Sequence, residues 1–145
     1  MTIHLSNAEK IEVLEQQRAQ ILAQISGIGD LRSGSLVERY RRCGKPTCHC
    51  AAEDSRGHGP SFSLTHKVDG KTITRVVPAG LVARTQQQIA EYRHLRELVR
   101  RLIATSEKIC QVQLEANKAA STQEAAKKRA SKQNLKHKSK VKSRH

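Results

Sequence analysis

The feature that most constrains this chain is a cluster of metal-binding side-chain types between Cys43 and His58. Three of the four cysteines in the 145-residue sequence lie within eight positions, as Cys43, Cys48 and Cys50. Thiolates this close together repel one another and oxidise readily unless a cation holds them. Three thiolates and one imidazole meet the need of a zinc ion for four soft or borderline ligands in a tetrahedron. The sequence therefore predicts a structural zinc site made by Cys43, Cys48, Cys50 and His58.

The spacing of these residues leaves two alternatives open. In an extended segment the sulfurs of Cys48 and Cys50 point to one side and His49 points to the other, which favours His58 over His49 as the fourth ligand. The C-x4-C-x-C pattern also differs from the common C-x2-C pairs of zinc sites. The alternative is a trio of buried, metal-free cysteines beside two surface histidines.

A metal would suit the small core that this composition allows. The aromatic residues are Tyr40, Phe62 and Tyr92 alone. A chain of this length supports one small domain with extensions, and so few large side chains make a large apolar core unattainable. A metal site is one way to stabilise such a domain.

Two helices flank the cysteine cluster in the α+β fold that the sequence predicts. The first is an amphipathic helix over residues 5–27, which begins at a capping box formed by Ser6 and Glu9. The second is a long helix over residues 81–117, in which apolar residues recur at helical spacing. Its predicted packing seam consists of Tyr92, Leu95, Val99, Leu102 and Ile109, and Leu98 and Ile103 widen this apolar stripe. Such a seam suits an antiparallel partner, and the first helix is the nearest candidate.

Residues 31–80 are predicted to form a Cys/His-rich domain that contains a β-hairpin. Apolar and polar residues alternate from Ser61 to Val68, which is typical of a half-buried strand. Asp69-Gly70 then supplies a two-residue turn, since both central positions of a type I′ turn need positive φ. This turn sets three cross-strand pairs: Phe62 with Val77, Leu64 with Arg75, and His66 with Ile73.

The charge of the chain is strongly positive and uneven. Lysine and arginine number 27 against 13 acidic residues, a formal net charge of +14. Residues 118–145 hold ten of these cations with Glu124 as their one acid, and their lack of large apolar residues predicts a disordered basic tail. This tail and the basic residues of the central domain form two basic regions, which favour nucleic acid as the partner, DNA over RNA. The alternative is that the tail is solubilising and the central basic residues form a solvated surface. The predicted phosphate contacts of the central domain are Arg39, Arg41, Arg42, Lys45, Lys67, Lys71 and Arg75.

The sequence also excludes several classes of protein. No apolar run approaches the ~20 residues that span a bilayer, and the N-terminus has no secretory signal pattern. We therefore expect a cytoplasmic protein, whose reduced cysteines bind metal more often than they form disulfides. No H-E-x-x-H motif, Ser/His/Asp arrangement or glycine-rich phosphate loop is present, so we expect no enzymatic activity.

A wider pattern surrounds the cysteines. It consists of Gly34-Ser35-Leu36, Tyr40, Cys43-Gly44-Lys45-Pro46, Cys48, Cys50, His58-Gly59-Pro60, Gly70-Lys71-Thr72 and Pro78. Over roughly residues 31–102 the chain resembles a small uncharacterised bacterial family, labelled a domain of unknown function, whose members often lie near or inside transposase-related genes. Ser61 and Val77 stand where members tend to have aromatic residues, which argues against base stacking there.

The resemblance implies a transposition-linked nucleic-acid role without an established activity. Together with the charge and the cysteine cluster, it predicts a zinc-stabilised, nucleic-acid-binding accessory protein. The alternative is a helical subunit that pairs with a transposase, with another complex or with a second copy of itself, and has no direct nucleic-acid role.

Overall fold

The computed structural model describes the backbone of residues 5–142 and the side chains of residues 5–133. It contains the helices α1 (Asn7–Ser26) and α2 (Val82–Lys142) and the strands β1 (Ser35–Arg41), β2 (His58–Val68) and β3 (Lys71–Val77). Short 3₁₀ turns lie at His49–Ala51 and Ala79–Leu81. The predicted α+β class is confirmed, with one strand more than the predicted hairpin.

The chain divides into two compact units. The central unit comprises Gln24–Arg100 and holds the whole sheet. The described part of the other, the helical unit, consists of α1 up to Ala23 and of α2 from Arg101 onward.

The predicted capping box at the start of α1 is confirmed. The Ser6 amide donates to a carboxylate oxygen of Glu9 at 2.7 Å, and the Glu9 amide donates to the Ser6 hydroxyl at 3.3 Å. Since the carboxylate accepts this backbone hydrogen bond in its charged form, the pKa of Glu9 lies below its ordinary value. The helix ends at Ser26, directly before Gly27.

The sheet is antiparallel in the order β1-β2-β3. The pairing of β2 with β3 confirms all three predicted pairs, from Phe62 with Val77 to His66 with Ile73. Asp69 and Gly70 have φ angles of 49° and 78°, as the predicted turn requires. The additional strand, β1, pairs with the other edge of β2 and places Leu36 opposite Leu64.

The two faces of the sheet differ in their surroundings. The core face carries Leu36, Leu64 and Val77, and it packs against Ile89 of α2. The outer face carries the row Val37, Ser63 and Val76, of which Val76 is 78% exposed. Cross-strand partners share a face, so the register also assigns each of the remaining sheet residues to the core face or to the outer face.

The buried stripe of α2 differs from the predicted seam by one position. Leu98, which was predicted to widen the stripe, is fully buried, whereas Val99, which the prediction placed in the seam itself, is 40% exposed. Ile89 and Ile109 are also buried. A 3.6-residue period and a heptad period diverge slowly along a long helix. A prediction from the heptad spacing can therefore assign the buried position to Val99 when its neighbour Leu98 occupies it.

The end of α2 also differs from the prediction. The helix was expected to end at Asn117 with a disordered tail after it, whereas the structure continues it to Lys142. No glycine or proline follows Gly80, and the added segment is rich in alanine, lysine and glutamine, which are good helix formers. Residues 143–145 of the predicted tail lie outside the described residues. Within residues 5–142, no helix has both the length and the apolar character needed to cross a membrane.

A glycine at the entrance to β1 yields a first prediction. Gly34 has a φ of +131°, and a Cβ there would lie 2.7 Å from the Thr65 carbonyl oxygen. Gly29, just upstream, has no heavy atom within 4 Å of such a Cβ. We expect Gly34→Ala to lower the free energy of unfolding by about 1–3 kcal/mol, and Gly29→Ala to change it far less. Urea unfolding followed by circular dichroism measures both, and equal midpoints for the two variants would contradict the assignment.

Candidate metal centre

The pairing of β1 with β2 brings the first and last residues of the cysteine cluster together. Arg41, the last residue of β1, pairs with His58, the first residue of β2. Cys43 follows Arg41 by two positions, so the segment from Cys43 to His58 closes into a loop at one end of the sheet. Two residues distant in sequence become neighbours because their strands are hydrogen-bonded.

Glycines at this end of the sheet allow the backbones to approach closely. The register shifts between Arg39 and Arg41, where β2 has an additional residue near the cis peptide Gly59–Pro60. Gly57 has a φ of +95°, and a Cβ there would lie 2.9 Å from the carbonyl carbon and oxygen of Arg41. Gly57 was not among the residues singled out from the sequence, although a glycine directly before a candidate ligand can indicate a close approach of two backbones.

A 3₁₀ turn positions the other two cysteines. The Cys48 amide donates to the Lys45 carbonyl at 3.2 Å, and the Ala51 amide donates to the Cys48 carbonyl at 2.9 Å. The expectation that residues 48–50 are extended is therefore wrong, because His49–Ala51 form one turn of 3₁₀ helix. Cys50 lies inside this turn and is only 1% exposed.

Four side chains meet at this point. The ligand atoms of Cys43, Cys48, Cys50 and His58 all lie within 4.8 Å of one another. The sulfurs of Cys43 and Cys50 are 3.4 Å apart, and the sulfur of Cys48 is 3.2 Å from Nε2 of His58. A tetrahedral ion with metal–sulfur bonds of ~2.3 Å separates its sulfurs by ~3.8 Å. The three cysteines are free thiols, and the four residues can hold a metal ion.

His49 is placed beside this cluster, not in it. Its Nδ1 is 3.7 Å from the sulfur of Cys48. Its ring stands edge-on to that of His58, with centroids 4.7 Å apart. Of the two histidines that the spacing left open, the structure groups His58 with the three cysteines.

Backbone and arginine contacts hold the loop around the cluster. The Cys43 amide donates to the sulfur of Cys50 at 3.4 Å. The Arg42 guanidinium donates to the carbonyls of Glu53 and Ser55 at 3.2 and 3.0 Å. Arg42, predicted as a phosphate contact, is thus engaged with the loop that follows the cysteines.

A second arginine of the loop packs on β1. The Arg56 guanidinium lies 4.5 Å above the ring of Tyr40, a cation–π arrangement. The Tyr40 phenol donates a hydrogen bond to Glu38, which raises the pKa of Tyr40 above its ordinary value. No local pattern in the sequence indicates this pairing, because the two partners meet only when the loop folds back.

Of the other predicted phosphate contacts, Lys45 lies in the loop after β1 and the rest are distributed over the sheet. Arg39 and Lys67 pair with Ser61 and Thr72, which lie on the outer face. Arg75 pairs with Leu64 and therefore lies on the core face, as does Lys71. All seven predicted residues are exposed. Among the described residues none of the seven forms an ion pair.

Comparison with known proteins identifies one match. A family model described as Domain of unknown function (DUF6788) matches residues 11–87, which include the sheet and all four clustered residues. No curated protein and no solved structure matches the chain.

The two histidines of the loop provide a matched pair of variants. We expect His58→Ala to weaken Co²⁺ binding more than about tenfold, because the ion loses its fourth protein ligand. His49→Ala should bind Co²⁺ with unchanged affinity, because His49 lies outside the group of four. Titration followed by the thiolate-to-cobalt charge-transfer absorption measures both, and an equal loss in the two variants would contradict the assignment of His58.

Proposed function

The chain belongs to the family described as Domain of unknown function (DUF6788), whose model matches more than half of its residues, and we propose that it is a zinc-stabilised, nucleic-acid-binding accessory protein. The family description names no function, so this proposal rests on the chemistry of the chain's own residues. The transposition-linked part of this role follows from the resemblance of the central motif. The protein would act where reduced thiols persist, as in the cytoplasm.

The donor set supports zinc as the ion. Three thiolates and one imidazole are soft to borderline ligands, which zinc prefers and which calcium and magnesium do not. Four protein ligands leave no open coordination position, so the role assigned to the ion is structural and not catalytic. The buried apolar cluster of the central unit consists of Leu64, Val77 and Ile89. A core this small gains considerably from an ion that fixes the loop before β2.

Uncompensated positive charge is the observation that carries the nucleic-acid proposal. Among the described residues, the ion pairs are Arg18 with Glu15, Arg84 with Asp30 and Arg100 with Glu97. The other exposed arginines and lysines of residues 5–133 form no salt bridge within that part of the chain. A polyanion gains from such a surface because each phosphate contact releases condensed counterions.

The C-terminal half of α2 adds a second basic surface. Its described cations are all exposed, and they are Lys118, Lys127, Lys128, Arg129 and Lys132. Glu124 is the one acidic residue beyond Glu115. A helix that is polar on every side gains little stability from packing against other elements. A helix that is also cationic can lie along a nucleic-acid backbone and contact several phosphates. This segment would supply affinity without reading sequence.

A second candidate function is that of a helical interaction subunit. One observation in the helical unit favours it: a largely apolar groove of about 410 Å³ lies between α1 and α2. Its apolar walls include Val13 and Leu14 of α1 and Val112 of α2. Val13 is 44% exposed, so a partner could cover this groove. In that case the basic charge would serve solubility.

The zinc assignment predicts the metal content of the purified protein. We expect about one zinc per chain by elemental analysis, lost in Cys48→Ser because a ligand is removed. Cys110→Ser is the control and should keep its zinc, since Cys110 lies outside the cluster. Chelation should unfold the central unit, seen as loss of chemical-shift dispersion in NMR spectra. A chain that stays folded with free thiols and no ion would refute the assignment.

The nucleic-acid proposal predicts a steep salt dependence. For a DNA duplex the logarithm of the association constant should fall by roughly 0.9 per phosphate contact for each tenfold increase in salt. Removing residues 118–145 should make this slope shallower, because that segment holds ten cations. Fluorescence anisotropy at several salt concentrations measures it. Absent binding, or binding indifferent to salt, would leave the helical-subunit alternative as the better account.

A further inference from the structure

A polar pocket on the central unit is not part of the metal centre. It has a volume of about 350 Å³ and lies where the loop before β1 meets β2 and β3. Its lining residues are Leu31, Arg32, Ser33, Leu64, His66 and Arg75. Among these, only Arg75 was singled out from the sequence as a phosphate contact, and His66 was expected to be an ordinary strand residue.

The pocket is cationic, and no acidic side chain lines it. Arg32 and Arg75 form no ion pair among the described residues. The nearest acid in sequence, Asp30, is engaged 3.5 Å from the Arg84 guanidinium. Two guanidinium groups at one small pocket repel each other, and an anion between them would relieve that repulsion.

The backbone around the pocket is fixed. The Arg32 amide donates to the Gln88 carbonyl of α2 at 3.0 Å. Gly34 lies so close to β2 that a Cβ would be 3.1 Å from the Cβ of His66. The loop therefore holds Arg32 and Ser33 beside β2 and β3, which is the preorganisation that anion recognition needs.

His66 also lines the pocket. Its Nδ1 is buried and has no protein hydrogen-bond partner among the described residues. Because this atom is shielded from solvent, the polar contacts to a ligand come from Arg32, Ser33 and Arg75, and the His66 ring serves as a reporter beside them.

We propose that this pocket binds a phosphate group through Arg32, Arg75 and Ser33, with the His66 ring among its lining residues. Guanidinium forks bind phosphate oxygens in pairs, and the Ser33 hydroxyl can donate to a third oxygen. A phosphate has enough oxygens for all three groups, whereas a carboxylate has two. The phosphate comes either from a nucleic-acid backbone, a source that rests on the proposed function, or from a small free phosphate compound, a source that does not.

The first test is a titration of the full-length, metal-loaded chain with inorganic phosphate at constant ionic strength. NMR should show saturable shifts of the His66 ring protons and of the Arg32 amide. Arg32→Gln and Arg75→Gln should each weaken binding by roughly tenfold, since each loses charge-assisted hydrogen bonds. Arg93→Gln removes the same charge from an exposed position on α2 and should bind like the wild type.

The controls make the outcome decisive. Circular dichroism and metal content verify that each variant is folded. No saturable shift in the wild type, or an equal loss of binding in Arg93→Gln, would overturn the proposal.

A second titration with a short DNA duplex distinguishes the two sources. If the duplex displaces phosphate from His66, and Arg75→Gln weakens duplex binding more than Arg93→Gln does, the ligand is a backbone phosphate. If the duplex binds and leaves the His66 signal unchanged while phosphate shifts it, the ligand is a free phosphate compound. A chain that binds phosphate and no duplex would refute the nucleic-acid proposal and leave the pocket assignment standing.

Discussion

The hydrogen-bonded pairing of β1 with β2 is the constraint on which the rest of this structure depends. At one end of the pair, Arg41 lies opposite His58 and thereby brings Cys43 next to a histidine that is far from it in sequence. Toward the other end, Leu36 lies opposite Leu64 and contributes to the apolar cluster. A single ladder thus positions both the ligand group and the core, so a slip in register would disrupt both.

The central unit gains order from two chemically different sources, one at the middle of β2 and one at its first residue. Toward β3 and α2 it buries Leu64, Val77 and Ile89, which is ordinary hydrophobic packing. At His58 it presents three thiols and an imidazole, where an ion would supply what apolar residues do not. The residues between Cys43 and His58 form no strand and only one short 3₁₀ turn. Their conformation therefore depends heavily on the cluster and on the Arg42 contacts.

The sheet also organises the charge of the unit. Because side chains alternate along each strand, the basic residues separate onto two faces, with Arg39 and Lys67 on the outer face and Arg75 on the core face. A partner that covers one face cannot contact all of them at once. Arg75 instead faces a small pocket together with Arg32, a loop residue. The basic residues can thus both bind an extended polyanion and form a single, shaped anion site.

The sequence by itself determined whatever depends on neighbouring residues: the capping box, the Asp69-Gly70 turn with its register, and the set of ligand types around Cys48. These follow from local geometry and side-chain chemistry, which a linear sequence contains in full. Tertiary structure alone decided the addition of β1 to the sheet, the exposure of Val99 beside the fully buried Leu98, and the meeting of Arg32 with Arg75 at one pocket. Each of these depends on which distant segments pack together, and packing energy is a property of the folded chain and not of any short stretch of it.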